Sequence, residues 1–569
     1  MTDFGATLLE AVRHHQAGNL EAAKDGYRQV LEISSSQADA LHLLGVIAIQ
    51  EADNDSAVDF IRQAIDAGVN LAEAHLNLGT ALKRLSRFAE ALEAFDAANR
   101  LKPDFPIIVC NRAHCLVNLR RYQEGLVELD RAVGIAGSIE GLDYDPAAFH
   151  SDRGHALQEL GRHDEALVEF DTAISLNDEL PEVWSNRGSA LSELGQLSLA
   201  IENFDKAISI NPRQVLAHYN KGAVLADLGR NRESIESHER ALELVPGLPT
   251  AAFGAALGYL RDGDYARGWP LYESRFDLNE MQTASPYLRH PRRWNGTESL
   301  VGKRIVLWAE QGLGDTIQFC RYATLVAKQG ARVLLFLPES LREICSGIEG
   351  VAGTTSIIVQ DYDFDFHCPL MSLPTIFGTT LESIPFNEKP YLFTDQAKFE
   401  RWQVRLGPRL KPRVGIVWSG GSASKIKGRS IPLSEFHVLL DRDLEFISLQ
   451  KEVRASDRIA LDVLSEIKHF GDEQKDFDDA AALIENMDVV VSVDTSLAHL
   501  AGALGKEVHV LLPFAADWRW LQDTDRSPWY ASARLYRRAA DGSWDSVLRQ
   551  VRQQLVARFV PVMRMKKRW

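Results

Sequence analysis

Gly312-Leu313-Gly314-Asp315 stands between an apolar run that ends at Trp308 and a pattern of helical spacing that resumes at Ile317. Two glycines at a strand-to-helix turn let the backbone bend sharply or let a ligand come close to it. The acid then sits at the mouth of the turn, where α/β proteins hold their ligands. Asp315 there can take a proton from an attacking hydroxyl, or it can cap the helix that follows. A short glycine motif by itself leaves both open.

Two later stretches offer a site for a negatively charged ligand. "RVGIVWSGGSASKIKGRSIPL" runs from a strand into a loop of small residues that contains Gly420, Lys425, Lys427 and Arg429. Backbone N–H groups and mobile cations in one loop suit a phosphate. "VVVSVDTSLAHLAGALGK" reads as a buried strand, then Asp494-Thr495-Ser496, then a helix ended by Gly505. Thr495 or Ser496 can cap that helix, and its N-terminus favours an anion. Asp494 would repel phosphate and is better placed on sugar hydroxyls. His499, one turn into the helix, can reach the same ligand or simply pack. Gln450 and Lys451 lie at the end of the strand "LEFISL". A rival feature is "DYDFDFHCP", where Asp361, Asp363 and Asp365 alternate as in a D-x-D metal motif. Alternation along a strand puts all three on one face, a site for Mg²⁺ or Mn²⁺ or merely a polar strand end.

The elements that position these residues fall in two halves. In the first, Gly45, Gly79, Ala113, Gly154, Gly188 and Gly222 mark one slot that recurs every 34 residues, with a single step of 41 near "GSIEGLDYD". Twelve positions on stand Ala57, Ala91, Ala166 and Ala200, and four further Phe95, Phe170 and Phe204; prolines at 103, 212 and 246 close units. This is the period of a helix–turn–helix repeat, and these small and aromatic positions are packing. Two residues before the slot stand Asn77, Asn111, Asn186 and Asn220, with Asp152 in the remaining unit. Asn is a poor helix former. A column of amides along a groove can grip a peptide backbone whatever its sequence, or each can bond a neighbouring repeat.

The second half alternates β-branched runs with helical stretches, which predicts parallel sheets covered on both faces. Strands are expected at "RIVLWA", "RVLLFL", "TSIIVQ", "RVGIVW", "LEFISL", "DVVVSV" and "VHVLLP". A break near "KPYLFTDQAKFERWQVRLGPRLKP" divides this half into two lobes, with a ligand cleft between the carboxyl ends of their strands. The expected layout is a repeat superhelix over 4–275, a connector over 276–300, a first lobe over 301–395 and a second over 396–569.

Bulk composition narrows the class. Charged residues make up 25% and apolar residues 45% of 569, an ordinary globular balance. A formal net charge of −16 argues against a general nucleic-acid binder. Five cysteines without a C-x-x-C pair point to a reducing cytosol rather than a disulfide or zinc framework. "MTDFGATLLEAVRHHQ" lacks the basic start and apolar core of a secretory signal. No apolar run approaches the roughly 18 residues of a membrane span. The basic "MRMKKRW" end is read as a frayed tail.

The 34-residue unit resembles the tetratricopeptide repeat, and the asparagine column is similar to the asparagine ladder of the nucleocytoplasmic O-linked N-acetylglucosamine transferases. "VSVDTSLAHLAGALGK" together with "GLGDTIQF" resembles the heptosyltransferase-like glycosyltransferases, over roughly Gly302 to Leu555. "PFAADWRWL" and "SPWY" are similar to the subgroup that carries such a domain after tetratricopeptide repeats. The resemblance implies an α-solenoid followed by a two-lobed α/β GT-B fold, and an enzyme that moves a sugar from a nucleotide sugar with inversion and without a cofactor. It makes Asp315 the general base. It places the donor on Gly312, Gly314, Lys427, Arg429 and Asp494, and by strand-end position on Gln450 and Lys451; Gly420, Thr495, Ser496 and His499 join them from the loop and helix start read above. Asn77, Asn111, Asn186 and Asn220 would hold a protein acceptor by its backbone, with transfer to Ser or Thr; bacterial flagellin glycosylation is one setting. The repeat domain departs from the lipopolysaccharide enzymes and puts a lipid-linked acceptor in doubt. Transfer to a glycan or lipid, and a scaffold with an inactive domain, are the alternatives.

Overall fold

The computed structural model describes residues 4–566 except 143, 279–286, 289, 361–362, 421–427 and 541, with backbone alone at 140 and 561–566. The chain divides into two compact units, residues 1–220 and 221–569. The division falls inside the helix Val215–Asp227, so the last repeat helices belong with the α/β half.

The first unit is a stack of antiparallel helix pairs, from Phe4–Gln16 with Leu20–Ile33 to Pro181–Glu193 with Leu197–Ile210. The recurring slot is small because the paired helices touch there. A Cβ on Gly79 would lie 2.5 Å from the Phe95 ring, and one on Gly154 2.6 Å from Phe170. Proline opens several first helices at their first turn, at Pro106, Pro146 and Pro181, where a missing N–H costs nothing. Gly161 and Gly195 turn the chain between paired helices at φ +77°, a conformation that disfavours a side chain. The step of 41 holds the short helix Glu140–Leu142 and then Tyr144, whose hydroxyl donates to Asp152.

The second unit starts with the helices Asn231–Leu244, Pro249–Arg261 and Tyr265–Tyr272. Its first sheet has four parallel strands: β1 (Arg304–Trp308), β2 (Arg332–Phe336), β3 (Val351–Thr355) and β4 (Phe366–Pro369), in the order β3-β2-β1-β4. Its second sheet has six: β5 (Arg413–Val417), β6 (Glu445–Ser448), β7 (Ile467–His469), β8 (Val489–Val493), β9 (Val508–Leu512) and β10 (Ala533–Arg537). Their order, β10-β9-β8-β5-β6-β7, is doubly wound, and every neighbouring pair is parallel. β5, β8 and β9 are buried along their whole length, as strands covered on both faces must be.

The architecture is the predicted one, an α-helical repeat array followed by a two-sheet α/β region compatible with a GT-B fold. The strand assignments differ in four places. "TSIIVQ" is strand only at its first residue, where β3 ends at Thr355; Ile357 and Ile358 are exposed. β4, β7 and β10 are not among the expected strands; β4 and β7 are short, and all three carry polar or charged residues such as His367, Lys468 and Arg534. Pairing with longer strands holds them in place, a tertiary effect that local composition does not display.

One apolar core joins the last repeat helix to both lobes. Trp269 packs edge-on against Trp518, Trp529 and Phe319 at centroid distances of 5.4, 6.3 and 6.4 Å. The fully buried Arg275 forks onto Glu310, at the carboxyl end of β1, with Nε–Oε2 2.8 Å and Nη2–Oε1 3.0 Å. Glu310 also accepts from the Met371 N–H after β4. The chain therefore leaves β1 in a fixed direction and delivers the Gly312–Asp315 turn to the lobe interface.

Candidate active site

In the second sheet the winding reverses between β5 and β8, so their carboxyl ends open a crevice at which α/β sheets bind ligands. β5 delivers Ser419 and Gly420 there, β6 delivers Gln450, and β8 delivers Asp494, Thr495 and the helix Ser496–Ala503. The first lobe closes on this edge. The helix Leu313–Phe319 packs against Ser496–Ala503, and a Cβ on Gly314 would lie 2.9 Å from His499 Cδ2 and 3.5 Å from Ser496 Cα. Gly314 is glycine because another lobe touches its backbone.

Asp315 does two things at once. Its Oδ2 accepts from the Gly312 N–H at 2.8 Å, the capping role. Its Oδ1 lies 2.5 Å from Arg519 Nη2, an ion pair across the interface. Arg519 is buried, and its backbone N–H and Nη1 both bond Asp517 Oδ1, at 3.0 and 2.8 Å. Burial disfavours the Arg519 charge, but Asp315 and Asp517 outweigh it and push its pKa up. For Asp517 too burial works against the charge and Arg519 wins, leaving the carboxyl below its usual range. A carboxylate has about four lone-pair positions; two of those on Asp315 are engaged, and its side chain keeps 21% exposure toward the cleft.

Asp494 is buried, and burial raises its carboxyl pKa against the opposing pull of Arg429. Arg429 Nε donates to the Asp494 carbonyl, and its Nη2 lies 3.7 Å from Oδ1. His499 Nε2 lies 3.9 Å from Asp494 Oδ1, and Nδ1 bonds the Tyr530 hydroxyl at 3.1 Å. The imidazole stacks on Trp520 at 5.1 Å. Burial, then Arg519 and Arg429, hold its pKa well below the ordinary value, so it is neutral at pH 7. A neutral His499 can donate or accept, and does not repel the cations beside it.

The remaining donor-side residues divide. Thr495 is buried with its hydroxyl 3.3 Å from that of Ser492, so it makes no side-chain cap on the helix. Gly420 N–H bonds Ser430 Oγ at 3.3 Å, and its carbonyl accepts from Arg454 at 2.8 Å. Gln450 is anchored through Nε2 to the Ser419 carbonyl at 3.0 Å. Lys451 turns to the Lys475 carbonyl at 2.9 Å and is exposed. Lys425 and Lys427 lie outside the described residues. Arg519, Asp517, Trp520, Tyr530 and Arg454 were not singled out by sequence reasoning; the one signal for Arg519 was an acid and an arginine among tryptophans in "DWRWL".

Of the aspartate triplet, Asp365 lies away from this cleft. Asp361 lies outside the described residues, and Asp365 precedes β4, where its carboxylate accepts from the Arg304 N–H at 2.8 Å. That is the amino end of β1, opposite to the edge that carries Asp315. Among the described residues no group of three or more His, Cys, Asp or Glu side chains could hold a metal ion.

In the first unit Asn77, Asn111 and Asn220 bond the preceding repeat. Asn77 Nδ2 is 3.3 Å from His42 Nε2, and Asn220 Nδ2 donates to Ser189 at 3.1 Å. Asn111 is buried; its Oδ1 accepts from Lys83 at 2.6 Å and its Nδ2 donates to the Ile107 carbonyl at 2.8 Å. Asp152, also buried, meets His114 Nδ1 at 2.9 Å. Asn186 is half-exposed. Asn77, Asn186 and Asn220 thus remain partly open, whereas Asn111 is spent inside the stack.

The five cysteines are free and buried, and no helix of the described residues is long and apolar enough to cross a membrane.

Similarity to known proteins agrees with this layout. The glycosyltransferase family 9 (heptosyltransferase) model matches residues 474–511, which hold β8, Asp494, His499 and most of β9. Tetratricopeptide repeat models match residues 38–67, 72–138 and 147–179, and a TPR repeat model matches 188–229. Protein FlbA of Caulobacter vibrioides (strain ATCC 19089 / CIP 103742 / CB 15) is 27% identical over 331 residues, 52% of this chain and 54% of FlbA. The chain thus spans about half the length of the curated relative it matches. Two solved repeat structures are distant. The APC/C hetero-tetramer Cut9–Hcn1 has 15% identity, covers 50% of this chain and 54% of that one, and has a TM-score of 0.37. YrrB, a TPR protein with an unusual peptide-binding site, has 20% identity, covers 34% and 95%, and has a TM-score of 0.26. Tetratricopeptide repeats followed by a two-sheet α/β region with a glycosyltransferase family 9 match support a repeat-fused glycosyltransferase, similar in that segment to the heptosyltransferases.

Proposed function

We propose that the chain transfers a sugar from a nucleotide sugar to a Ser or Thr hydroxyl of a protein acceptor selected by the repeats. The observation that carries this reading is the convergence at the lobe interface. Asp315 comes from one lobe, Asp494 and His499 come from the other, and Gly314 lets the two backbones meet. Asp315 takes the proton of the acceptor hydroxyl as positive charge develops at the sugar carbon. Attack on the face opposite the leaving group inverts the anomeric centre. Asp494 and neutral His499 hold sugar hydroxyls. Arg429, Lys427 and the N-terminus of Ser496–Ala503 stabilise the departing phosphate, so no metal is required. Gly312, Gly420, Gln450, Lys451, Thr495 and Ser496 shape the donor side, and Asn77, Asn186 and Asn220 bind acceptor backbone.

A thermal-shift screen of nucleotide sugars identifies the donor, and mass analysis of co-expressed candidate acceptors, flagellin first, identifies the product. Added sugar mass on protein is expected. Sugar found only on glycan or lipid would overturn the acceptor assignment, and no nucleotide-sugar binding would leave only a scaffold.

A further inference from the structure

Arg519 and Trp520 reach the cleft from a short turn whose backbone is strained. The turn Trp518–Trp520 starts at Asp517 and ends in Leu521, which has φ +53° and ψ −170°. That conformation is close to glycine-only for an L residue and persists where the surroundings impose it. Besides the turn's own bonds, such as Leu521 N–H to the Trp518 carbonyl at 3.1 Å, one side chain grips its carbonyls. Arg537, the last residue of β10, donates Nη2 to the Trp520 carbonyl at 2.6 Å and to the Leu521 carbonyl at 2.8 Å, and Nε to the Gln522 carbonyl at 2.8 Å. Its Nη1 is buried with no hydrogen-bond partner among the described residues. A planar guanidinium holds these three carbonyls with donors in a rigid fork, whereas an ammonium offers three rotatable donors from one point. Its burial, only partly offset by Asp523, lowers its pKa to about 10, so the charge persists at pH 7.

We propose that Arg537 is a positioning residue for the transfer step. By holding the Leu521 turn in its strained form, it sets Arg519 against Asp315 and Trp520 against His499. The inference rests on the role of Asp315 proposed above. Without Arg537 the Leu521 peptide relaxes, and Arg519, two residues upstream, loses its register with Asp315. A misplacement of about 1 Å at a reacting group costs on the order of 10²-fold in rate.

The test uses the full chain, the nucleotide sugar found by the thermal-shift screen, and the protein found to be modified. Wild type, Arg537→Gln, Arg537→Lys, the double variant Arg537→Gln/Leu521→Gly, and Asp315→Asn are compared for kcat, donor KM and Tm. Arg537→Gln is expected to lose kcat by about 10- to 100-fold with donor KM within about twofold. Glycine adopts the Leu521 conformation without strain, so the double variant is expected to recover about tenfold. If Arg537→Gln does not fold, Arg537→Lys is expected to show the same kcat loss at unchanged KM. Unchanged kcat in the folded Arg537 variants would overturn the proposal. So would parallel loss of kcat, KM and Tm with no recovery in the double variant. Normal turnover by Asp315→Asn, or none by wild type, would instead sink the functional reading on which it rests.

Discussion

Asp315→Asn separates the catalytic role of this residue from its structural ones. Asn preserves the shape and can still accept from the Gly312 N–H, but it cannot take a proton. Loss of a general base lowers the rate by on the order of 10² to 10⁴. From the sequence, the exchange looks neutral for folding, because Asn replaces a capping Asp at little cost. The structure corrects that expectation, because Asp315 also neutralises a buried guanidinium, at 2.5 Å. Breaking a buried pair typically costs about 3–5 kcal/mol. Arg519 keeps Asp517 at 2.8 Å and Asp315 is 21% exposed, so the loss here is about 1–3 kcal/mol. For a unit spanning residues 221–569, that lowers Tm by about 1–4 °C. Turnover, nucleotide-sugar affinity and Tm are measured on one sample. Near-normal turnover refutes the base assignment. Lost donor affinity means that Asp315 holds the donor instead. An unchanged Tm refutes the energetic weight given to the Arg519 pair.

Other outcomes follow from particular contacts. His238 fills the position that Phe95, Phe170 and Phe204 occupy in other repeats, and burial lowers its pKa to about 4. The unfolded chain binds that proton more readily, so stability is full above the unfolded value and falls as pH drops from about 6.5 toward 4. About 2 kcal/mol is lost between pH 7 and pH 5, and His238→Phe should remove that part of the slope in denaturant titrations at the two pH values. Replacing Asn77, Asn186 and Asn220 together by Ala should raise the acceptor KM and leave donor affinity intact; equal acceptor KM would dismiss the groove. Transfer should persist in excess EDTA, whereas activity lost with EDTA and restored by Mg²⁺ or Mn²⁺ would show a metal at work. Gly314→Ala puts a methyl 2.9 Å from His499 Cδ2 and should cost about 1–3 kcal/mol through overpacking between the lobes, read as a lowered Tm.

Much of this was written in local sequence. The repeat period is legible because each unit buries the same small and aromatic positions, so identical packing leaves an identical trace. The strands β1, β5, β8 and β9 are legible because burial on both faces leaves mostly apolar runs. The turns at Gly312–Asp315 and Asp494–Ser496 are legible because a strand that passes directly into a helix needs glycine, acid or hydroxyl residues at the junction. What the sequence alone does not carry is pairing across distance. Arg519 lies 204 residues from Asp315, and no local pattern distinguishes it from a surface arginine. The asparagine column is periodic in sequence, but only the stacked helices show that Asn111 is buried and engaged while Asn186 stays half-open. The D-x-D run is a reasonable metal motif in one dimension; the parallel register of β4 on β1 shows that Asp365 sits at the amino end of β1, away from Asp315. Local composition settles the elements with a strong repeat or apolar pattern, because that pattern is the local trace of their burial, whereas β4, β7 and β10 depend on their sheet neighbours. Tertiary structure settles which side chains meet, because that depends on how separate elements pack.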